Sequence, residues 1–171
     1  MAGDKYLKIA SGVVSEQAAV QSSAGAGNAG NIPALDAAGL LDITMMPAGV
    51  GANTKSLAAS EALAAGDFVN IWDDSGTPKM RKADGSAAGK EANGFVLASV
   101  ESAATGTCYL TGVNNQLTGL TGGTVYYLSE ATPGAATATA PSTATNIVQR
   151  LGKALSATEL SFEPSDPITL A

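Results

Sequence analysis

Histidine is absent from all 171 residues. That removes the commonest general base near neutral pH and the commonest transition-metal ligand. A single cysteine, Cys108, leaves no intrachain disulfide and no sign of an oxidising compartment. It lies in the run Thr107-Cys108-Tyr109-Leu110-Thr111 with no histidine or basic neighbour to activate it, so it reads as a small buried hydrophobe. Basic residues are few: nine, against fifteen acidic, for a net charge of −6. They are scattered, with Lys79, Arg81 and Lys82 the tightest group, which argues against nucleic acid as a partner. No apolar run approaches the ~20 residues that span a membrane, and no basic stretch leading into an apolar run suggests a secretory signal. Aromatics make up 5%. Alanine supplies much of the apolar content and buries little area, so a thin core is expected, with assembly adding to its stability.

What is present divides at about residue 55. The β-type runs after it predict an all-β domain over 56–171, a small barrel or sandwich of short antiparallel strands. The stretch AAGDFVNIWD, residues 64–73, is its anchor. Gly66 offers a tight turn, Phe68 to Trp72 is a strand by composition, and Asp73 to Pro78 is a turn leading to a return strand at Lys79–Lys82. A mobile loop is expected at Asp84–Gly89 and a strand buried on both faces at Gly94–Val100. Further strands are expected at Thr107–Thr111, Thr124–Leu128, Ile147–Leu155 with a bulge at Gly152, and Leu160–Phe162. Leu117 and Leu120 pin the intervening loop, and Thr132–Thr145 reads as a surface excursion. The expected core is Phe68, Ile71, Trp72, Phe95, Leu97, Leu110, Tyr127 and Phe162. One internal echo is visible: Leu63-Ala-Ala-Gly66 before a strand, and Leu120-Thr-Gly-Gly123 before another.

Residues 1–55 read as an extended, mostly irregular N-terminal arm. Tyr6, Leu7 and Ile9 suggest one short strand, with Val13 and Val14 continuing it. Asp36 or Asp42 suits the cap of a single helical turn. The small-residue segment QSSAGAGNAGNIP has too little to bury to offset its own ordering entropy. The apolar residues of the arm, Ile9, Val13, Val14, Ile32, Leu35, Leu40, Leu41 and Met45, are therefore expected to serve as contacts with neighbouring chains.

No residue set spells out a chemistry. Asp73 with Asp74, and Glu159 with Glu163, read as turn and surface carboxylates. Asp73, Asp74 and Asp84 lack the D-x-D-x-D-G order of a calcium loop. The glycines form neither a dinucleotide fingerprint nor a P-loop. No enzyme activity, cofactor or metal is expected.

The segment Ala24-Gly25-Ala26-Gly27-Asn28-Ala29-Gly30-Asn31-Ile32-Pro33-Ala34-Leu35-Asp36, followed by Gly39-Leu40-Leu41-Asp42 and Met45-Met46-Pro47, resembles a segment of many tailed-bacteriophage fibre and head-surface proteins. EALAAGDFVNIW, NGFVLASV, GTVYYLS and NIVQRLGKALSATELSF resemble the β-domains of phage capsid decoration (cement) proteins and their fibre relatives. These are structural phrases covering nearly the whole chain. The resemblance implies a virion protein on the outer capsid surface, made in the host cytoplasm. Its implied partners are the major capsid protein and its own copies, as a homotrimer ahead of a dimer, with neither nucleic acid nor membrane. No long repetitive shaft is present, which ranks decoration above the alternative, a fibre or tail accessory whose loops at Asp84–Lys90 and Thr132–Thr145 meet a host-surface receptor.

Overall fold

The computed structural model describes residues 5–37, 39–46 and 53–171. The chain forms two compact units, Met1–Gly51 and Ala52–Ala171. The division lies before residue 55, because Thr54 and Lys55 already belong to a strand of the second unit.

The first unit opens with strands β1 (Lys5–Ala10) and β2 (Val13–Ala18), paired antiparallel from Lys5↔Ala18 to Ala10↔Val13. Val13 and Val14 therefore do not continue the first strand, as the sequence suggests; the chain reverses before them. Ser11 and Gly12 make the two-residue turn, both with positive φ (51° and 78°), the geometry that matches the strand twist of a tight hairpin. Single 3-10 turns follow at Gly25–Asn28 and Ile43–Met45. Asp42 caps the second, accepting the Thr44 N–H at 2.9 Å.

The second unit is all-β. Its strands are β3 (Thr54–Ala59), β4 (Phe68–Asp74), β5 (Thr77–Lys82), β6 (Gly94–Phe95), β7 (Thr105–Tyr109), β8 (Gly112–Asn114), β9 (Val125–Leu128), β10 (Ala136–Thr137), β11 (Ile147–Val148), β12 (Arg150–Ala154), β13 (Leu160–Phe162) and β14 (Ile168–Thr169). β3-β5-β4-β6-β7 close into a barrel, with β3 and β5 parallel and the other neighbours antiparallel. β10-β9-β12-β13-β8 form a five-stranded antiparallel sheet, and β11 pairs with β14.

These two assemblies share one plan. Read from β5 round the barrel, the order is third, second, fourth, fifth and first strand of the half; β10-β9-β12-β13-β8 repeats it, with β8 as first strand and β11 outside the sheet. The echo seen in the sequence sits at matching points. Asp67 N–H donates to Ala64 O and Thr124 N–H to Thr121 O, both at 3.1 Å, closing turns whose third residues, Gly66 and Gly123, have φ of 91° and 83°. Gly66 then bonds Val96 O and Gly123 bonds Ala154 O, both at 2.8 Å. Gly94 and Gly152 also correspond. A Cβ on Gly94 would stand 2.6 Å from Tyr109 O, and one on Gly152 1.8 Å from Ser161 O. Strand β12 carries the bulge expected at this glycine, between Arg150 and Gly152.

The halves differ in closure. The second sheet has no β3–β5 equivalent. Its gap is filled by the Gly66–Phe68 segment of the first half: Asn114 Nδ2 donates to Gly66 O at 2.8 Å, and Phe68 N–H to Gly134 O at 2.9 Å. A single core consequently joins the two halves, with Phe68, Ala92 and Phe95 packed among Tyr126, Leu128, Ile147, Leu151, Leu160 and Phe162. A second core fills the barrel: Leu57, Leu63, Val69, Met80, Val96, Val100 and Cys108.

Several expectations need correction. Trp72 is only partly buried. It shares a strand face with Phe68 and Asn70 but lies beyond the joint core, so its ring emerges where the Arg81 guanidinium stacks at 4.9 Å and Ser60 Oγ accepts its N–H at 3.3 Å. Tyr127 is half-buried and Tyr126 takes the core position, because the register puts Tyr126 and Leu128 inward together. Ile71, Leu97 and Leu110 pack at core margins and not at their centres. The run Gly94–Val100 is strand only at Gly94–Phe95; Val96 bonds Asp67 O to close the Gly66 turn, and Ala98 and Ser99 are exposed. The loop expected to be mobile begins at buried Asp84 and Gly85, with Gly85 bonded to Ser129 O and Ile147 N–H. Thr132–Thr145 contains β10 and buried Pro141.

Candidate assembly surface

Nothing among the described residues of the first unit is fully buried. Hydrogen bonds give it its shape. Val20 N–H donates to Ile32 O at 3.0 Å and Ala34 N–H to Val20 O at 2.7 Å. Tyr6 Oη accepts the Ile32 N–H at 3.3 Å and donates to Asn31 Oδ1 at 3.4 Å. Gln21 Nε2 reaches Leu35 O at 3.1 Å, Ser23 N–H reaches Thr44 Oγ1 at 2.8 Å, and Asn28 Oδ1 accepts the Ala24 N–H. Asp36 Oδ1 accepts the Leu40 N–H at 2.9 Å. The Asp42 carboxyl is held below its ordinary pKa by hydrogen bonds from the Thr44 hydroxyl and N–H.

Apolar side chains are left outside this framework. Nine of the twelve large exposed hydrophobics of the described chain lie here, although the unit is much the shorter of the two. Strand pairing sorts four of them. Leu7, Ile9 and Val14 share one face of the hairpin, flanked by the Lys5–Glu16 ion pair at 2.7 Å. Val13 lies on the other face, with Tyr6 and Gln17. Of the expected contact residues, Ile9, Val13, Val14, Ile32, Leu35, Leu40 and Leu41 are exposed, and Met45 is half-buried. The pairing brings Ile9 and Val14 directly opposite each other; Leu35, Leu40 and Leu41 belong to the irregular part. Leu7 is the most exposed, at 74%, and is an addition to the expected set. Its alternation with Ile9 was the available signal. Such a concentration of apolar surface marks a contact region.

Several carboxylates of the second unit are used within it. Asp73 accepts the Gly76 N–H, Asp74 pairs with Lys79 at 2.6 Å, and Glu163 with Arg150 at 3.3 Å. Asp84 accepts the Ser86 N–H and pairs with Lys90 at 3.4 Å. Among the described residues no three His, Cys, Asp or Glu stand together as a metal site. Burial pushes the Cys108 thiol up to about 11, against a smaller opposing effect of a hydrogen bond from the Phe95 backbone. No helix of the described chain is long and apolar enough to cross a membrane.

Buried polar residues went unrecognised in the sequence. Gln149 uses both ends of its amide on one residue, accepting the Ala92 N–H at 2.8 Å and donating to Ala92 O at 3.0 Å. It thereby ties the two halves together. Gln149→Leu leaves both Ala92 groups buried and unpaired, and is expected to lower stability by about 1–3 kcal/mol; urea unfolding of variant and parent measures this.

No family model matches the chain, and neither a curated protein nor a solved structure matches it.

Proposed function

We propose that this chain is a non-catalytic structural protein of a phage virion, a decoration protein that binds the outer surface of the head and stabilises contacts between major capsid protein subunits. The observation that carries the proposal is the asymmetry between the units. One buries its apolar residues in two cores; the other has no buried residue among those described, yet presents Leu7, Ile9, Val14, Leu35 and Leu40 to solvent. A polypeptide built that way gains by being covered. Each side chain lodged in a neighbour contributes roughly 1.5–3 kcal/mol gross, less the cost of ordering. On a shell lattice, modest contacts multiply through multivalency. The partners are the major capsid protein and further copies of this chain, with a trimer favoured over a dimer by the family resemblance. The protein is made in the host cytoplasm and resides on the virion.

The test is a chain lacking residues 1–50, added to undecorated heads beside the intact protein. The truncated chain keeps both cores and is expected to melt cooperatively. The intact protein is expected to coat heads in regular copies seen by electron microscopy, and the truncated one to leave them bare. Full occupancy by the truncated chain would make the arm dispensable and overturn the proposal. A few copies at the tail would instead favour a fibre or tail accessory.

A further inference from the structure

The barrel of the second unit has a gap in its hydrogen bonding. At the two ends of the β3–β7 ladder, Ala59 N–H donates to Ala104 O at 2.9 Å and Leu110 N–H to Asn53 O at 2.8 Å. With the register Leu57↔Gly106 and Lys55↔Cys108, these bonds turn the backbone groups of residues 104, 106, 108 and 110 towards β3. Those of Thr105, Thr107 and Tyr109 face the opposite way. Tyr109 meets Phe95 there, the single residue pair between β6 and β7. Thr105 and Thr107 have no hydrogen-bond partner on that side among the described residues. Their two N–H and two C=O groups line a groove of about 480 Å³, whose other wall is Leu97–Glu101. Alternating donors and acceptors at two-residue spacing match the main chain of an extended strand.

We propose that this free edge of β7 is a strand-addition site that receives the outer edge of β1 from a second copy of the chain. Among the described residues β1 and β2 form a two-stranded sheet by themselves, and the far edge of β1 pairs with no other strand. A hairpin of that kind is marginal alone and gains from a third strand. Charge selects β1. Glu101 is exposed and lines the groove, and Lys8 is half-buried on β1; neither has an ion-pair partner among the described residues. Strands β2 and β14 carry no cation, so neither offers Glu101 a counter-charge. Strand β7 carries no cation either, so pairing it with β7 of another copy offers Glu101 no counter-charge. The resulting contact is head-to-tail and generates a ring where its rotation closes. It rests on the assembly role proposed for the first unit, and specifies how one copy holds the next.

Light scattering on the full chain over a concentration series tests this. The parent is expected to show a small multiple of the 16.8 kDa chain mass. Thr107→Pro removes the N–H that faces the groove and spares every bond to β3; it is expected to weaken association about tenfold or more. Glu101→Lys and Lys8→Glu are each expected to weaken it, and the two together to restore it. A parent that stays monomeric at its highest attainable concentration overturns the proposal. So does a folded Thr107→Pro chain that associates like the parent. Should Thr107→Pro fail to fold, the charge series decides: restoration in the double variant supports the contact, and no restoration overturns it. The reading of the chain as a head protein fails separately, when intact protein leaves heads bare.

Discussion

Phe95→Ala is expected to lower the unfolding free energy by about 3–5 kcal/mol. The ring is 1% exposed and sits where the two halves of the second unit meet. It stacks on Tyr109 at 5.5 Å and meets Phe162 edge-on at 5.6 Å and Phe68 at 6.5 Å. In a chain with three phenylalanines, all three belong to this one cluster. A cavity there removes contacts from both sheets at once, and the surrounding strands are held by hydrogen bonds that resist collapse into it. Trp72→Ala is the comparison. Its ring packs against the Arg81 guanidinium at the surface, so the expected loss is about 1 kcal/mol. Urea unfolding of both variants measures the difference. A Trp72→Ala loss equal to or greater than that of Phe95→Ala would show that the centre of the core has been misplaced.

The second large effect is expected at Gly152. Its φ of 152° is rarely adopted by residues with a side chain, and an added Cβ would stand 1.8 Å from Ser161 O. That oxygen belongs to the neighbouring strand, paired with β12 at Lys153↔Ser161. Relief requires separating β12 from β13, which opens the joint core. Gly152→Ala is therefore expected to cost at least about 3 kcal/mol, combining backbone strain with lost packing. Gly122→Ala provides a matched control. Its Cβ would make an ordinary 3.5 Å contact with Leu155 O, and no positive φ is required. A change within about 0.5 kcal/mol is expected there. Denaturant unfolding of the two variants side by side settles the matter; similar stabilities would remove the close approach as the reason for glycine at 152.

For the assembly surface, composition was informative and topology was not. The run from Ala24 to Asp36 visibly lacks the means to build a core, and Ile32, Leu35, Leu40 and Leu41 stand out in it as apolar residues without local partners. The hairpin was missed because its turn, Ser11-Gly12, is short and has only one glycine. Without the turn, Leu7, Ile9 and Val14 cannot be placed on one face. The free edge of β7 was invisible for a different reason. Whether a strand edge is paired depends on how far a neighbour follows it, and β6 leaves after Phe95 to close the turn at Gly66.

By itself, the sequence determined the all-β character of residues 56–171 and most of the strands. Local chemistry suffices there: β-branched and aromatic runs favour pleated backbone, and glycine and aspartate turns interrupt them. The same local cues marked Phe68, Phe95 and Phe162 as core and Gly152 as a bulge. Tertiary structure alone decided which face each strand buries. Trp72 and Tyr127 satisfy every local criterion for a core residue, yet Trp72 lies beyond the end of the joint core on the face it shares with Phe68, and register turns Tyr126 inward in place of Tyr127. It also decided that the second sheet is closed by Gly66–Phe68 of the first half, and that Gln149 and Asn114 are buried. Those outcomes depend on contacts between residues 48 to 66 positions apart. Local propensity carries no information at that range; the pairing of whole strands supplies it.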